Sequence, residues 1–270
     1  CPTLCNRLDI NRTIQESNRI QSAMEGRSVL VTGGAKRIGC SIAMKFAKEG
    51  ASILLHCNNS IEEAKQVKSD IENLGSKCEL FVADLSTKDG RMKLVEEVLS
   101  SNIISERGGL DVLINSASIF EKKCFTDVDE TDWDSMMEIN AKAPYFITKY
   151  LLNTLKNVNG CVINIVDTSY ERPWPFYSNY CASKSALRSI TLSLAMELAP
   201  DVRVNGIAPG AILFPDWMTE HSRENILTNV PMNRLGTPNE IADTAIFLAF
   251  GPQYITGQII TVDGGWSLYD

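Results

Sequence analysis

The chain has 270 residues, 44% of them hydrophobic, and a formal net charge of −7, which fits one α/β domain with a large buried core. The acidic balance gives no electrostatic reason to expect nucleic acid or an anionic membrane as a partner, and no apolar run approaches the ~20 residues of a bilayer-spanning helix. Eight cysteines are scattered without a CxxC pair, so we expect reduced thiols, no metal site and a cytoplasmic location.

Residues 1–23 differ from the rest of the chain. They are polar and lack the apolar core of a signal peptide. Met24 stands directly before the first apolar run. We interpret residues 1–23 as an extension and residues 24–270 as the folded domain.

From Arg27 onward, short β-branched runs alternate with stretches of helical periodicity. The runs are "SVLVTG", "SILLHC", "CELFVADL", "LDVLINSAS", "CVINIVD", "VRVNGIAPG" and "GQIITVDGG". Because they are apolar on both faces, they predict a parallel, doubly wound sheet of seven strands in a single α/β domain. Ligands of such sheets bind beyond the carboxyl ends of the strands.

The first strand ends in the turn "VTGGAKRIG". Gly33, Gly34 and Gly39 would let a pyrophosphate approach backbone amides at a helix N-terminus. Lys36 and Arg37 add two cations there. The alternative is a plain strand–helix connection, although the helix dipole disfavours a cation at Arg37 unless an anion compensates it.

The second strand ends in His56, followed by Asn58, Asn59 and Ser60, without the carboxylate that binds the adenosine ribose in many NAD enzymes. Hydrogen-bond donors and nearby positive charge favour a 2′-phosphate, and therefore NADPH over NAD. The alternative for His56 is a residue that merely ends its strand.

The next two strand ends also carry polar or small residues. Asp84 is predicted to accept a hydrogen bond from adenine, to cap a helix beginning at Ser86, or both. Asn115, Ser116 and Ala117 end the fourth strand, where small side chains would let the cofactor ribose lie against the sheet.

The spacing Tyr180-Cys-Ala-Ser-Lys184 places a phenol and an ammonium on one helix face. The lysine is expected to lower the pKa of the tyrosine and make it a proton donor near neutral pH. Asp167 ends the fifth strand thirteen residues earlier. Asn140 lies within the helix "MMEINAKAPYF", where a buried amide needs partners, and we predict that it holds a water or the surroundings of the lysine.

Together these motifs, with "NGIAPG" and the closing "VDGG", resemble the short-chain dehydrogenase/reductase family over the whole chain from Arg27 onward. The resemblance implies a Rossmann-type fold, a homotetramer, and a catalytic group that includes Asn140, Tyr180 and Lys184. It also implies that Pro209 and Gly210 lie beside the nicotinamide. We add Ile38 and Leu85 to the cofactor-binding set.

The chain departs from the family pattern at three places, and the first and third of them, together with Phe120, resemble one branch, the pteridine reductases. Arg37 replaces a turn glycine, "NSAS" replaces "NNAG", and Asp167 replaces the catalytic serine. In that branch, the residues matching Ser118, Phe120 and Tyr177 contact the pterin, Phe120 by stacking. Arg37 would lie between the cofactor phosphate and the pterin. Phe120 by itself is more typical of a core residue, but its place just beyond the carboxyl end of the fourth strand favours the stacking role.

We therefore predict an NADPH-dependent reductase of pterin or folate substrates in which Tyr180 donates the proton and Asp167 assists. One alternative is a carbonyl or 3-oxoacyl thioester reductase of the same family, and another is a cofactor-binding regulator without turnover. Residues 212–233 have the length and composition of a lid, in which Trp217 and Met218 either cover the substrate or pack the lid itself.

Overall fold

The computed structural model describes residues 24–214 and 218–268. The predicted extension, residues 1–23, and Trp217 of the predicted lid lie outside the described residues. The domain boundary at residue 24 stays a prediction.

All seven predicted strands form one sheet, which confirms the predicted fold class. They are β1 (Ser28–Thr32), β2 (Ser52–Cys57), β3 (Cys78–Val82), β4 (Val112–Asn115), β5 (Cys161–Ile165), β6 (Arg203–Pro209) and β7 (Ile259–Val262). Their order across the sheet is β3-β2-β1-β4-β5-β6-β7, and every neighbouring pair is parallel. The connections reverse direction between β1 and β4, and a crevice opens at such a point, beyond the carboxyl ends of the strands.

Helices connect the strands on both sides of the sheet. The α-helices are α1 (Arg37–Lys48), α2 (Ile61–Asn73), α3 (Lys88–Leu99), α4 (Asn102–Arg107), α5 (Glu130–Met137), α6 (Ala143–Tyr150), α7 (Leu152–Lys156), α8 (Ser178–Leu198), α9 (Glu220–Thr228) and α10 (Pro238–Phe250). A π-helical turn, Glu138–Lys142, joins α5 to α6. Short 3₁₀ turns cover Phe125–Asp127, Thr168–Tyr170 and Trp266–Leu268.

The alternation of side chains along β1 divides the core into two layers. Val29 and Val31 belong to a cluster that includes residues of α1, α2 and α10. Leu30 belongs to a second cluster that includes residues of α3, α6 and α8. Because both faces of the sheet are covered, its strands are apolar throughout, as the sequence indicates.

Within the described ranges, we find no helix with both the length and the apolar character needed to cross a membrane.

Candidate active site

A cleft of about 740 Å³ opens at the carboxyl end of the sheet, within the range of small-molecule sites. It brings together most of the residues that the sequence singles out. The predicted residues that line it are Gly33, Lys36, Arg37, Ile38, Gly39, Ser116, Ala117, Ser118, Phe120, Asp167, Tyr177, Tyr180, Lys184, Pro209, Gly210 and Met218.

The turn after β1 has the form of a phosphate cradle. Gly33 has a φ of +66°, and a Cβ there would lie 2.8 Å from the Cα of Ala117. A Cβ on Gly39 would lie 2.3 Å from the carbonyl oxygen of Gly33, so α1 can begin this close to the turn only with glycine there. The unpaired N–H groups at the start of α1 therefore lie where a pyrophosphate would fit.

The two cations of this turn have different partners. The Nζ of Lys36 lies 2.8 Å from a carboxylate oxygen of Glu63, in the first turn of α2. Arg37 adopts a left-handed conformation with a φ of 54°, which costs a non-glycine residue about 1 kcal/mol or more. Its Nη2 donates to the carbonyl oxygen of Leu213, 3.1 Å away, at the start of the predicted lid. Arg37 thus spans the cleft from the turn to that segment, while the lid role itself stays a prediction.

The structure corrects the prediction that His56 binds the cofactor. His56 is buried, and its Nδ1 accepts the backbone N–H of Gly33 at 3.2 Å. Its Nε2 lies 3.0 Å from the carbonyl oxygen of Ala83, to which it must donate in this tautomer. With both ring nitrogens engaged, the imidazole braces the glycine turn against the end of β3 and has no donor left for a phosphate.

Burial lowers the pKa of His56 to about 4, against the smaller opposing effect of its bond to Ala83. Because the unfolded chain takes up this proton at a higher pH, the folded protein loses stability as the pH falls. Between pH 6.5 and 4, we expect the free energy of unfolding of the wild type to fall by about 3 kcal/mol relative to that of His56→Gln.

Urea unfolding at a series of pH values checks this expectation. The control is His221→Gln, which changes the second of the two histidines, an exposed residue of α9. Parallel pH profiles for the wild type and His56→Gln would show that His56 is not held neutral.

The remaining predicted cofactor residues lie outside the lining of the cleft. Asn58, Asn59 and Ser60 follow β2 and precede α2, so they lie at the neighbouring strand end, as predicted. Asp84 is exposed and accepts bonds from the N–H and Oγ of Ser86 at 3.0 and 2.7 Å. The helix begins at Lys88 with Thr87 as its N-cap, which corrects the predicted start at Ser86.

Two further predicted cofactor residues turn away from the cleft. The side chain of Leu85 is buried in a core cluster and has no face available for a ligand. The Nδ2 of Asn115 donates to Oδ1 of Asn164 at 2.8 Å, so this amide links β4 to β5. Its neighbours Ser116 and Ala117 line the cleft, and their N–H groups donate to Thr32 Oγ1.

The three central polar side chains meet at the carboxyl end of β5. Tyr180 and Lys184 lie in the first two turns of α8 and are almost fully buried. The hydroxyl of Tyr180 donates to Oδ2 of Asp167 at 2.9 Å. The Nζ of Lys184 donates to the carbonyl oxygen of Ile165 at 3.0 Å and lies 5.7 Å from the centre of the Tyr180 ring.

The expected lowering of the tyrosine pKa is wrong for this arrangement. Burial and the neighbouring Asp167 carboxyl raise the pKa of Tyr180 well above its ordinary value. Burial also lowers the pKa of Lys184 to about 8, with Asp167 opposing that shift. Burial is the largest cause of the raised pKa of Tyr180, so Tyr180 keeps its proton at neutral pH.

Asn140 lies in the π-helical turn and is buried, but its side chain serves the loop after β4. Its Oδ1 accepts from Ser118 Oγ at 3.0 Å and from the N–H of Ile119 at 2.9 Å. Its Nδ2 donates to the carbonyl oxygen of Ile119 and to Ser183 Oγ, both at 3.0 Å. With these partners, the side chain links the Ser118 loop to Ser183, the residue before Lys184, which agrees with the predicted role in the surroundings of the lysine. The role in holding a water stays a prediction.

Aromatic side chains form the wall opposite the glycine turn. Phe120 is 39% exposed and stacks on Tyr177, with ring centres 4.7 Å apart. The sequence interpretation missed Trp174 and Trp266, which also line the cleft and stack on each other at 5.7 Å. Their positions soon after β5 and β7 are a signal that could have identified them, since that edge of the sheet binds ligands.

The chain is similar to a known protein family and to several known reductases. A family model described as enoyl-(acyl carrier protein) reductase matches residues 33–267. The 3-oxoacyl-[acyl-carrier-protein] reductase FabG of Thermotoga maritima is 33% identical over 247 residues, covering 90% of this chain and 98% of the relative.

Two solved structures share the fold with a TM-score of 0.84 and 29% identity. One is a putative short-chain alcohol dehydrogenase from Sinorhizobium meliloti, with 92% of this chain and 98% of the other covered. The second is the angucycline C-6 ketoreductase LanV with bound NADP, with 91% and 97% covered.

Proposed function

This chain belongs to the short-chain dehydrogenase/reductase family, and we propose on that premise that it is an NADPH-dependent reductase of ketones, with 3-oxoacyl thioesters among the candidate substrates. The observation that carries the proposal is the position of the Tyr180 hydroxyl, which lies beside Asp167 and Lys184 in the cleft that also contains the phosphate cradle. The names of the relatives, a 3-oxoacyl reductase and a ketoreductase with bound NADP, support it.

The prediction of a pterin or folate substrate is corrected. The relatives from Thermotoga maritima and Staphylococcus aureus are named 3-oxoacyl-[acyl-carrier-protein] reductases, and this chain covers nearly their full length. Arg37, Asp167 and Phe120 resemble the pteridine reductases, but over 247 residues the chain is 33% identical to a 3-oxoacyl-[acyl-carrier-protein] reductase.

The cofactor fits the residues present. The Gly33–Gly39 turn and the start of α1 would hold the pyrophosphate, and Pro209 and Gly210 would lie along the nicotinamide. When bound, the reduced dinucleotide supplies the hydride. We infer NADPH over NADH because no carboxylate directly follows β2, and the similar ketoreductase LanV has NADP bound.

The chain's own residues account for the proton. Tyr180 keeps its proton near neutral pH because burial raises its pKa, so it can donate to the ketone oxygen as that oxygen gains charge. Lys184 would stabilise the phenolate that is left. With a substrate bound, the rings of Trp174, Tyr177 and Trp266, which pack against one another, would shield the reacting atoms from water.

The test is the oxidation of NADPH or NADH, followed by absorbance, with a panel of acetoacetyl thioesters, cyclic ketones and dihydrofolate. We expect turnover of at least one ketone, with kcat/KM at least about tenfold higher for NADPH. Turnover of dihydrofolate alone would overturn the proposal. Binding of NADPH without oxidation by any member of the panel would favour the regulator.

A homotetrameric assembly and a cytoplasmic location stay predictions. Sedimentation velocity of the purified protein measures the first directly.

A further inference from the structure

Asp167 is the residue that the proposed ketone reduction explains least. Within the ranges 24–214 and 218–268, it is the only carboxylic acid that lines the cleft. The oxygen of a ketone becomes negative as the carbonyl carbon gains hydride, and donors stabilise that charge. An ionised carboxylate beside Tyr180 would repel it. It would also keep the Tyr180 proton, because the phenol would donate to it.

The hydrogen bonds of Asp167 define which oxygen can carry a proton. Its Oδ1 accepts the backbone N–H of Ser169 at 2.8 Å and is committed as an acceptor. Its Oδ2 lies 2.9 Å from the hydroxyl of Tyr180, at the surface of the cleft. A proton on Oδ2 would reverse this second bond, so that the carboxyl donates and the phenol is free to donate to a substrate.

The surroundings of Asp167 favour that neutral form. Val166 precedes it in the core, and the rings of Trp174, Tyr177 and Tyr180 enclose the same end of the cleft. Burial raises the pKa of Asp167, while the Ser169 N–H and the charge of Lys184 oppose the rise without cancelling it. The charged or titratable groups that face it are Tyr180 and Lys184 on α8, with Lys36 and Arg37 lining the cleft from the β1 turn.

We infer that Asp167 acts in its protonated form as a hydrogen-bond donor in the ketone reduction proposed above, on which this role rests. Oδ2–H of Asp167 would donate to the oxygen of Tyr180, and the hydroxyl of Tyr180 would donate to the ketone oxygen. The carbonyl carbon gains the hydride and its electron pair, the C=O π pair moves to the oxygen, and the oxygen takes the proton of Tyr180. The ketone is reduced and the dinucleotide oxidised. Asp167 then passes its proton to the phenolate across the 2.9 Å contact and is reprotonated from water after the product leaves.

Three variants test the role. In Asp167→Asn, the amide oxygen can accept from Ser169, and the NH₂ group must occupy the donor position of Oδ2. We expect its kcat at neutral pH to stay within about tenfold of the wild type, and Asp167→Ser, with a hydroxyl donor, to be active. Asp167→Ala, which has no donor, should have a kcat lower by about a hundredfold or more, as when one oxyanion donor is removed.

The pH dependence separates a protonated acid from a structural residue. The kcat of the wild type should fall as the pH rises through the pKa of Asp167. The profiles of Asp167→Asn and Asp167→Ser should lack that step, because their donors do not titrate in this range. Any step caused by Lys184 would appear in all three profiles.

Infrared spectroscopy gives a readout that does not depend on turnover. The wild-type protein, free and with NADP⁺, should show a protonated carboxyl band at neutral pH that Asp167→Asn lacks. An ionised carboxyl at neutral pH, or an Asp167→Asn variant as inactive as Asp167→Ala, would overturn the inference. If neither the wild type nor any variant reduced a ketone, the proposed function would fail and this role with it, whereas ketone turnover with an ionised Asp167 would sink the inference alone.

Discussion

Replacing Tyr180 with phenylalanine is expected to lower kcat for ketone reduction by about a thousandfold, while the dissociation constant for NADPH changes by less than about threefold. The hydroxyl of Tyr180 is the one positioned to donate the proton, and its removal leaves the ring packed against Phe120 and Trp174. The loss should therefore appear in the chemical step and not in cofactor binding.

Single-turnover kinetics and fluorescence titration with NADPH measure the two quantities separately. The matched control is Tyr150→Phe, a partly buried tyrosine on α6, remote from the cleft. A Tyr180→Phe enzyme that keeps more than about a tenth of the wild-type rate would exclude Tyr180 as the general acid. If the variant instead lost NADPH binding, the tyrosine would serve cofactor binding.

Replacing Asp111 with asparagine is expected to lower the free energy of unfolding by about 3–5 kcal/mol. Asp111 is buried just before β4, at the end of the sheet opposite the cleft. Its carboxylate accepts two bonds from Arg107, at 2.8 and 2.9 Å, and one from Arg27 at 2.7 Å. The N–H of Ser28 donates to it at 3.0 Å, so this one side chain ties the starts of β1 and β4 together.

Asparagine cannot satisfy both guanidinium groups, and the charge balance of the cluster is lost. The matched control is Asp201→Asn. Its partner is Lys156 at 2.9 Å, and both side chains are more than 40% exposed. We therefore expect this substitution to lower the free energy of unfolding by less than about 1 kcal/mol. Urea unfolding measures both variants. NADPH affinity should be unchanged for Asp111→Asn, and equal destabilisation by the two substitutions would contradict the assignment.

The pH dependence of the same cluster has a definite sign. Burial tends to raise the pKa of Asp111, but the bonds from Arg107, Ser28 and Arg27 outweigh it and lower the pKa below its ordinary value. A depressed carboxyl pKa stabilises the fold above the pKa of the unfolded chain, and this stabilisation is lost as the pH falls through the folded value. The difference in stability between the wild type and Asp111→Asn should therefore shrink in acid.

The sequence by itself determined the fold class, the number and positions of the strands, the glycine turn, and the shared helix face of Tyr180 and Lys184. These features follow from local periodicity and short spacings, which neighbouring residues decide. Only the tertiary structure decided that His56 bonds to Gly33 and Ala83, that Asn140 holds the Ser118 loop, and that burial keeps the proton on Tyr180. The partners of His56 lie 23 and 27 residues away in the chain. Burial, which shifts the pKa values of His56 and Tyr180, depends on how the whole sheet is covered. Roles that rest on distant contacts and desolvation cannot be derived from spacing, because neither exists until the chain has folded.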